Sequence, residues 1–134
     1  MKGRTIFLLF LYAVVAMSSC SEQLEVRKDE LAANTAKLYY QYLIEGKYED
    51  FVAGLDRHIG HSKDYERQLV DNARMFVSQQ RKLHKGMKEV SVANAMVDTV
   101  AHTAAVYLVV DFNDGASEQI VVPMVERDGL WMMR

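Results

Sequence analysis

Between residues 24 and 43 the large side chains fall at intervals of three, four and seven: Leu24, Leu31, Leu38, Tyr39, Tyr42 and Leu43, with Thr35 completing the row. That spacing is one face of an α-helix. Arg27, Lys28, Asp29 and Glu30 fall toward the other face, and Gly46 supplies a C-terminal stop. Tyr48, Phe51, Val52 and Leu55 repeat the spacing over a short second helix at about 47–55. The segment 56–61 reads as a loop. Ser62 is a good N-cap for a third helix over about 63–85, whose apolar line is Tyr65, Leu69, Ala73, Phe76, Val77 and Leu83. Lys82 and Lys85 sit in its last turn, where the helix dipole favours cations, and Gly86 fits the position just beyond.

After Gly86 the period changes. Val90 and Val92 alternate with Glu89 and Ser91. Residues 104–112 and 120–125 are dense in β-branched and aromatic side chains, as strands are. Asn113-Asp114-Gly115 and Asp128-Gly129 are turn signals, and the second suits a two-residue type I′ hairpin into Leu130-Trp131. The order predicts an α+β domain in which three N-terminal helices pack on an antiparallel sheet of about four strands. Pro123 belongs where its missing N–H faces an edge or a bulge. Strands 104–112 and 120–125 are apolar on both faces, whereas a sheet with one wet face alternates. The face away from the helices is thus a candidate surface for a homodimer.

The first twenty residues follow different rules. Lys2 and Arg4 precede Ile6–Met17, a charge-free run that contains Phe7, Leu8, Leu9, Phe10 and Leu11. Such a run spans about 18 Å as a helix. A bilayer core needs about 30 Å, so the pattern is that of a signal peptide. Ser18 and Ser19 then lead to Cys20, the single cysteine of the chain. Ala16-Met17-Ser18-Ser19-Cys20 resembles a bacterial lipobox, with Met17 where that family prefers an aliphatic residue. The resemblance implies a signal peptide over 1–19, acylation of Cys20, a lipidated tether over 20–25 and a single domain over 26–134. Two or three acyl chains would hold such a protein on a bilayer, where one would not. The alternative is an ordinary cleavable signal that leaves Cys20 as a free thiol. Ser21 stands where an aspartate would favour inner-membrane retention in enteric bacteria, which directs the expectation to the outer membrane, on either its periplasmic or its surface face.

Charge adds one exclusion. Of 16 Lys and Arg, Lys2 and Arg4 leave with residues 1–19, so 14 face 18 Asp and Glu. No basic stripe is present to neutralise phosphates, and nucleic acid is not an expected partner. With one cysteine there is no internal disulfide, so the domain relies on its hydrophobic core.

The run Tyr39-Tyr40-Gln41-Tyr42-Leu43-Ile44-Glu45-Gly46-Lys47-Tyr48-Glu49-Asp50-Phe51 resembles the opening of nuclear-transport-factor-2-like, or cystatin-like, α+β domains. The closing Val121–Val125 strand, Asp128-Gly129 turn and Trp131 are similar to the ends of small lipoproteins of that class, of Bacteroidota type and unknown function. The resemblance covers roughly residues 24–134. It implies a curved sheet wrapped around a long helix as a cone with an apolar pocket. It does not imply one function, because the class contains isomerases, dehydratases, polyketide cyclases, adaptors and binding proteins.

Candidate chemistry is sparse. Tyr39, Tyr42, Phe76, Tyr107 and Trp131 could line a pocket, although core packing with a polar tip at the surface is the simpler role for Tyr39, Tyr42 and Trp131. Asp111 could act as a base if its strand face were apolar, but it stands near a wet strand end. His58 and His61, with Asp56 and Asp64, offer metal-ligand atoms on a loop without a convincing further set, so neither metal nor cofactor is expected. No catalytic residue is assigned, and whether the domain is an enzyme stays open. The expected function is an anchored envelope lipoprotein with a non-catalytic domain that binds a small apolar ligand, a peptide or a partner envelope protein. The alternative is a cone-fold isomerase or hydrolyase using a pocket carboxylate as base.

Overall fold

A computed structural model of the chain describes residues 19–56 and 62–134, with side chains from residue 28 onward. Helix α1 runs Ser19–Glu45, α2 Tyr48–Ala53 and α3 Lys63–His84. Strands β1 (Met87–Asp98), β2 (Thr103–Phe112), β3 (Ser117–Arg127) and β4 (Leu130–Met133) follow, forming one antiparallel sheet in sequence order. The predicted α+β architecture of three helices on four strands is present. The stretch 20–25, expected as a tether, is helical in its backbone and continuous with α1. The signal-peptide run 1–18 lies outside the described residues.

The helix that crosses the sheet does so on small side chains. Among the described side chains of α1, Ala32, Ala33, Ala36 and Leu43 are the buried positions, whereas Leu31 and Leu38 are 57% and 43% exposed. The periodicity of the bulky residues therefore picks a face rotated away from the true contact. The cause is distance: a helix seated in the hollow of a curved sheet approaches closely only where its side chains are short, and bulky groups there would overpack. Alanine also retains the best helix propensity, so α1 gives up nothing locally for this.

The sheet carries the complementary bulk. Along β2 the even positions Ala104, Val106, Leu108, Val110 and Phe112 are buried, and the odd positions are half-buried. Val90, Val122, Met124, Trp131 and Met133 complete the core beneath α1. β1 is longer than the alternation at 89–92 indicates, and it carries two register shifts against β2, between Met87 and Glu89 and between Val92 and Asn94. Such bulges bend a strand and increase its twist, which supplies the curvature. The β3–β4 turn is the expected two-residue hairpin: Arg127 pairs with Leu130, and Asp128 and Gly129 both have positive φ, 52° and 79°. Pro123 accepts a bond on its carbonyl from the Arg134 N–H, so its absent N–H falls at the last pair of the ladder to β4.

The outer edge of β4 is closed by the chain itself. The Met133 N–H donates to the Gly54 carbonyl, and the Asp56 N–H donates to the Met133 carbonyl. Asp56 also receives both Arg127 Nε, at 2.7 Å, and Nη2, at 2.9 Å, a two-pronged ion pair joining the end of α2 to the hairpin. Gly54 is required here for space and not for its dihedral, φ −82°. A Cβ at that position would collide with the Tyr39 ring.

The methionines divide. Met124 and Met133 are core, as expected of gap-filling side chains, but Met75 and Met96 are exposed. α3 is the least buried long element. Of its side chains only Ala73 and Val77 are buried, packed against Leu43, while Tyr65, Met75, Phe76 and Leu83 are exposed.

Gly54→Ala should destabilise the domain by about 1–3 kcal/mol, since the added Cβ collides with the Tyr39 ring and displacing that ring breaks its bond to the Trp131 carbonyl. Leu31→Gln, on the exposed side of α1, should stay within about 0.5 kcal/mol of the parent. Urea unfolding followed by circular dichroism compares the two.

Candidate functional site

Beyond Ala36 the side chains of α1 grow. Tyr39 turns toward α2 and β4, where its hydroxyl donates to the Trp131 carbonyl at 3.2 Å. Tyr40 turns toward α3 and meets Phe51 edge-on, with ring centroids 5.9 Å apart and planes at 82°. Opposite it, α3 presents the small Ala73 between Leu69 and Phe76. Large residues on α1 and α2 face a small one on α3, so the three helices do not close. A groove of about 300 Å³ remains, lined by Tyr40, Leu43, Phe51, Leu55, Leu69, Asn72, Ala73 and Phe76. Its polar groups are the Tyr40 hydroxyl and the Asn72 amide.

A second cavity of about 220 Å³ lies between α1, α3 and the concave face of the sheet. Met87, Val110, Phe112 and Ile120 form its floor, and Gln80 and Glu118 stand at its sides. Tyr40 and Phe76 line both spaces and so form the wall between them. Burial pushes the Tyr40 phenol above its ordinary pKa, so it stays protonated and available as a donor throughout the physiological range. The Tyr39 phenol is raised as well, by burial first and by neighbouring Tyr42 second. Glu118, the carboxylate of the second cavity, is exposed. Among the described residues no polar or charged side chain is buried, and none leaves a buried polar atom unpaired.

The far end of this cavity is tied to α3. His84, in the last turn of α3, stacks on Phe112 with centroids 4.4 Å apart, and its Nδ1 lies 2.9 Å from Asp114 Oδ2. The Asp114 N–H donates to the His84 carbonyl, the Asn113 N–H to the Gly86 carbonyl, and the Asn113 side-chain amide to the Lys85 carbonyl. The β2–β3 turn thus satisfies carbonyls that the helix end leaves open. Asp114 accepts the Ala116 N–H first and His84 second, and both hold its carboxyl below the usual carboxylate range.

Of the residues singled out as pocket-lining, the structure brings only Phe76 to these cavities. Tyr39 is a strut against Gly54 and Trp131. Tyr42 is half-buried, with the Lys47 ammonium 5.9 Å from its ring. Trp131 is core. Tyr107 alternates with the buried Val106 and Leu108, so it stands on the opposite face of the sheet. Asp111 shares that outer face and accepts the Ser117 hydroxyl. The loop histidines His58 and His61 lie outside the described residues. Asp56 is engaged by Arg127, Asp64 lies 3.4 Å from Arg67, and no metal-binding group of three occurs among the described residues. The site residue that the spacing of bulky side chains misses is Tyr40. A usable signal exists, because it stands four, seven and eight positions after Ala36, Ala33 and Ala32, on the alanine face.

Among solved structures the chain is similar to an NTF2-like protein of Campylobacter jejuni that carries a provisional transpeptidase name. The TM-score is 0.61 at 14% identity, over 75% of this chain and 94% of that one. It is also similar to Aln2 of a Streptomyces species, with a TM-score of 0.48 at 11% identity, over 86% and 87% of the two chains. No protein-family model and no curated protein matches the sequence. The first likeness establishes the fold as nuclear-transport-factor-2-like, as the sequence resemblance implied, and at that identity it carries the fold alone.

Because the folded Asp114 carboxyl is more acidic than in the unfolded chain, its contribution to stability is complete above the unfolded value of about 3.9 and is lost as pH falls through the lower folded value. Asp114→Asn should therefore lower the Tm at pH 5–7 and converge with the parent in strong acid. Thermal melts across that pH series provide the check.

Proposed function

We propose that this chain is an envelope lipoprotein, anchored through acylated Cys20, whose domain binds a small apolar ligand in the groove between its helices and is not catalytic. The observation that carries the binding half is the groove. It is open to solvent, apolar on nearly every side, and supplied with one phenol and one amide to orient an occupant. Preformed apolar clefts with a few placed polar groups are the ordinary form of a small-molecule site. The anchoring half rests on the lipobox and the short apolar run before it. Two or three acyl chains on Cys20 would suffice to hold the domain on a bilayer, and among the described residues no helix is long and apolar enough to cross a membrane. An outer-membrane location follows the residue after Cys20.

A second reading is a cone-fold isomerase or hydrolyase. It is favoured by one observation, that Glu118 and Tyr40 line the same cavity, a carboxylate and a phenol of the kinds that serve as base and oxygen-polarising donor. Glu118 is exposed, which gives this arrangement less pocket control than a buried acid would. The outer sheet face, where Met96 and Val121 are exposed beside Tyr107 and Val109, is the surface we assign to self-association or to a partner envelope protein.

Native mass spectrometry of the protein purified from its own cells should find two or three acyl chains on Cys20, an apolar molecule retained by the domain, and any pairing of subunits. An N-terminus at Met1, or an unmodified Cys20, would remove the anchor. Ala73→Trp, which fills the groove from α3, should weaken binding of the apolar dye anilinonaphthalene sulfonate about tenfold or more, a loss of about 1.4 kcal/mol. Unchanged dye affinity in a folded variant would show that the groove is not the site.

A further inference from the structure

We propose that the two cavities are one binding site for a chain-like amphiphile with an amine head, its apolar chain along the groove and its ammonium beside Glu118. The inference rests on the groove reading above and names the class of ligand for it.

α3 gives the two spaces a common wall. Leu69, Asn72, Ala73 and Phe76 line the groove, and Phe76 and Gln80 line the second cavity. Three- and four-residue steps join these positions along one face of an unbroken helix. From Leu69 to Gln80 that face rises about 16 Å. Two rings divide the spaces. Tyr40 is held by its edge-on contact with Phe51. Phe76 is 41% exposed, so its ring can turn toward solvent without uncovering the core. Volume points the same way. Small-molecule sites occupy about 300–1,000 Å³. The second cavity, at about 220 Å³, falls below that range alone, and joined to the 300 Å³ groove it lies within it.

The two ends differ in polarity. The groove is lined by no charged side chain, whereas the second cavity has Gln80 and Glu118. Strand register brings Glu118 there. It pairs with Val110, which is buried on the concave face, and directly opposed residues share a face. Ile120, two positions on, lines the same cavity. Among the described residues neither the Glu118 carboxylate nor the Gln80 amide has a hydrogen-bond or ion-pair partner. No Lys, Arg or His lines either space. His84, stacked on the floor residue Phe112, is engaged by Asp114. A carboxylate beside an amide, with no cation at hand, selects a positive, hydrogen-bond-donating head and repels an acidic one. A chain attached to that head continues past Phe76 and along Ala73 to Leu69, where burial is apolar. Glu118 is exposed and water screens its pairing, so the expected preference is about fivefold.

The test uses the full chain in phosphatidylcholine nanodiscs, titrated calorimetrically at neutral pH with dodecylamine and with dodecanoate, with empty discs as blanks. The parent should bind the amine about fivefold more tightly than the carboxylate. Glu118→Lys, at an exposed position, should reverse that order. Parent and variant share the same discs, so uptake of the probes by lipid cancels between them. Ala73→Trp should weaken both probes about tenfold, as expected for the dye. Asn72→Trp, at an exposed position of the same wall, replaces it if circular dichroism shows that the buried site does not accept the ring. An order that Glu118→Lys leaves as it was, or an amine affinity that the tryptophan does not change while dye binding falls, overturns the joint site and leaves the groove reading standing. A folded tryptophan variant that weakens neither the probes nor the dye overturns both.

Discussion

The arrangement depends on how closely α1 approaches the hollow face of the sheet. Ala32, Ala33 and Ala36 permit that approach, and the even positions of β2 fill the space beneath. Once this contact is made, the remaining features follow in order. Tyr39 and Tyr40 are the first large side chains after the alanines, and they diverge, one locking α2 and β4, the other facing α3. Leucine at Ala36 would lift α1, and with it the ring that separates the two cavities.

The sequence pattern is legible to different depths in the two halves of the domain. In the sheet the signals are local. Asp128-Gly129 names its own turn type, and β-branched runs name their strands. These rules work because register and turn geometry are decided over a few residues. In the helices the pattern locates each element but misplaces the buried face of α1. Periodicity weights large apolar residues, whereas the sheet's curvature selects small ones. Leu31 and Leu38 fit the spacing yet stand exposed. β1 is underread for a related reason: beyond Val92 a bulge breaks the alternation that marks a strand, although the pairing continues to Asp98.

The same difference explains the site. Phe76 is legible because its helix has a clear apolar stripe. Tyr40 is passed over for Tyr39 and Tyr42, which fit the three-and-four spacing from Leu38 and Thr35. Tyr107 and Trp131 are aromatic and strand-borne, as pocket residues often are. Which face of the sheet each takes is a matter of parity along the strand and of what the neighbouring element covers, and neither is contained in residue type. The pairing of Glu118 with Tyr40 across a cavity is wholly tertiary. No spacing joins residues so far apart in the chain.

α3 is held to the body by Ala73 and Val77 along its length and by the His84–Asp114 and Asn113–Lys85 contacts at its C-terminal end. It also forms one wall of both cavities. Regions with few buried contacts open at a lower free energy than the body that carries them. α3 is thus the element expected to open first, and any outward movement of it would widen both cavities at once.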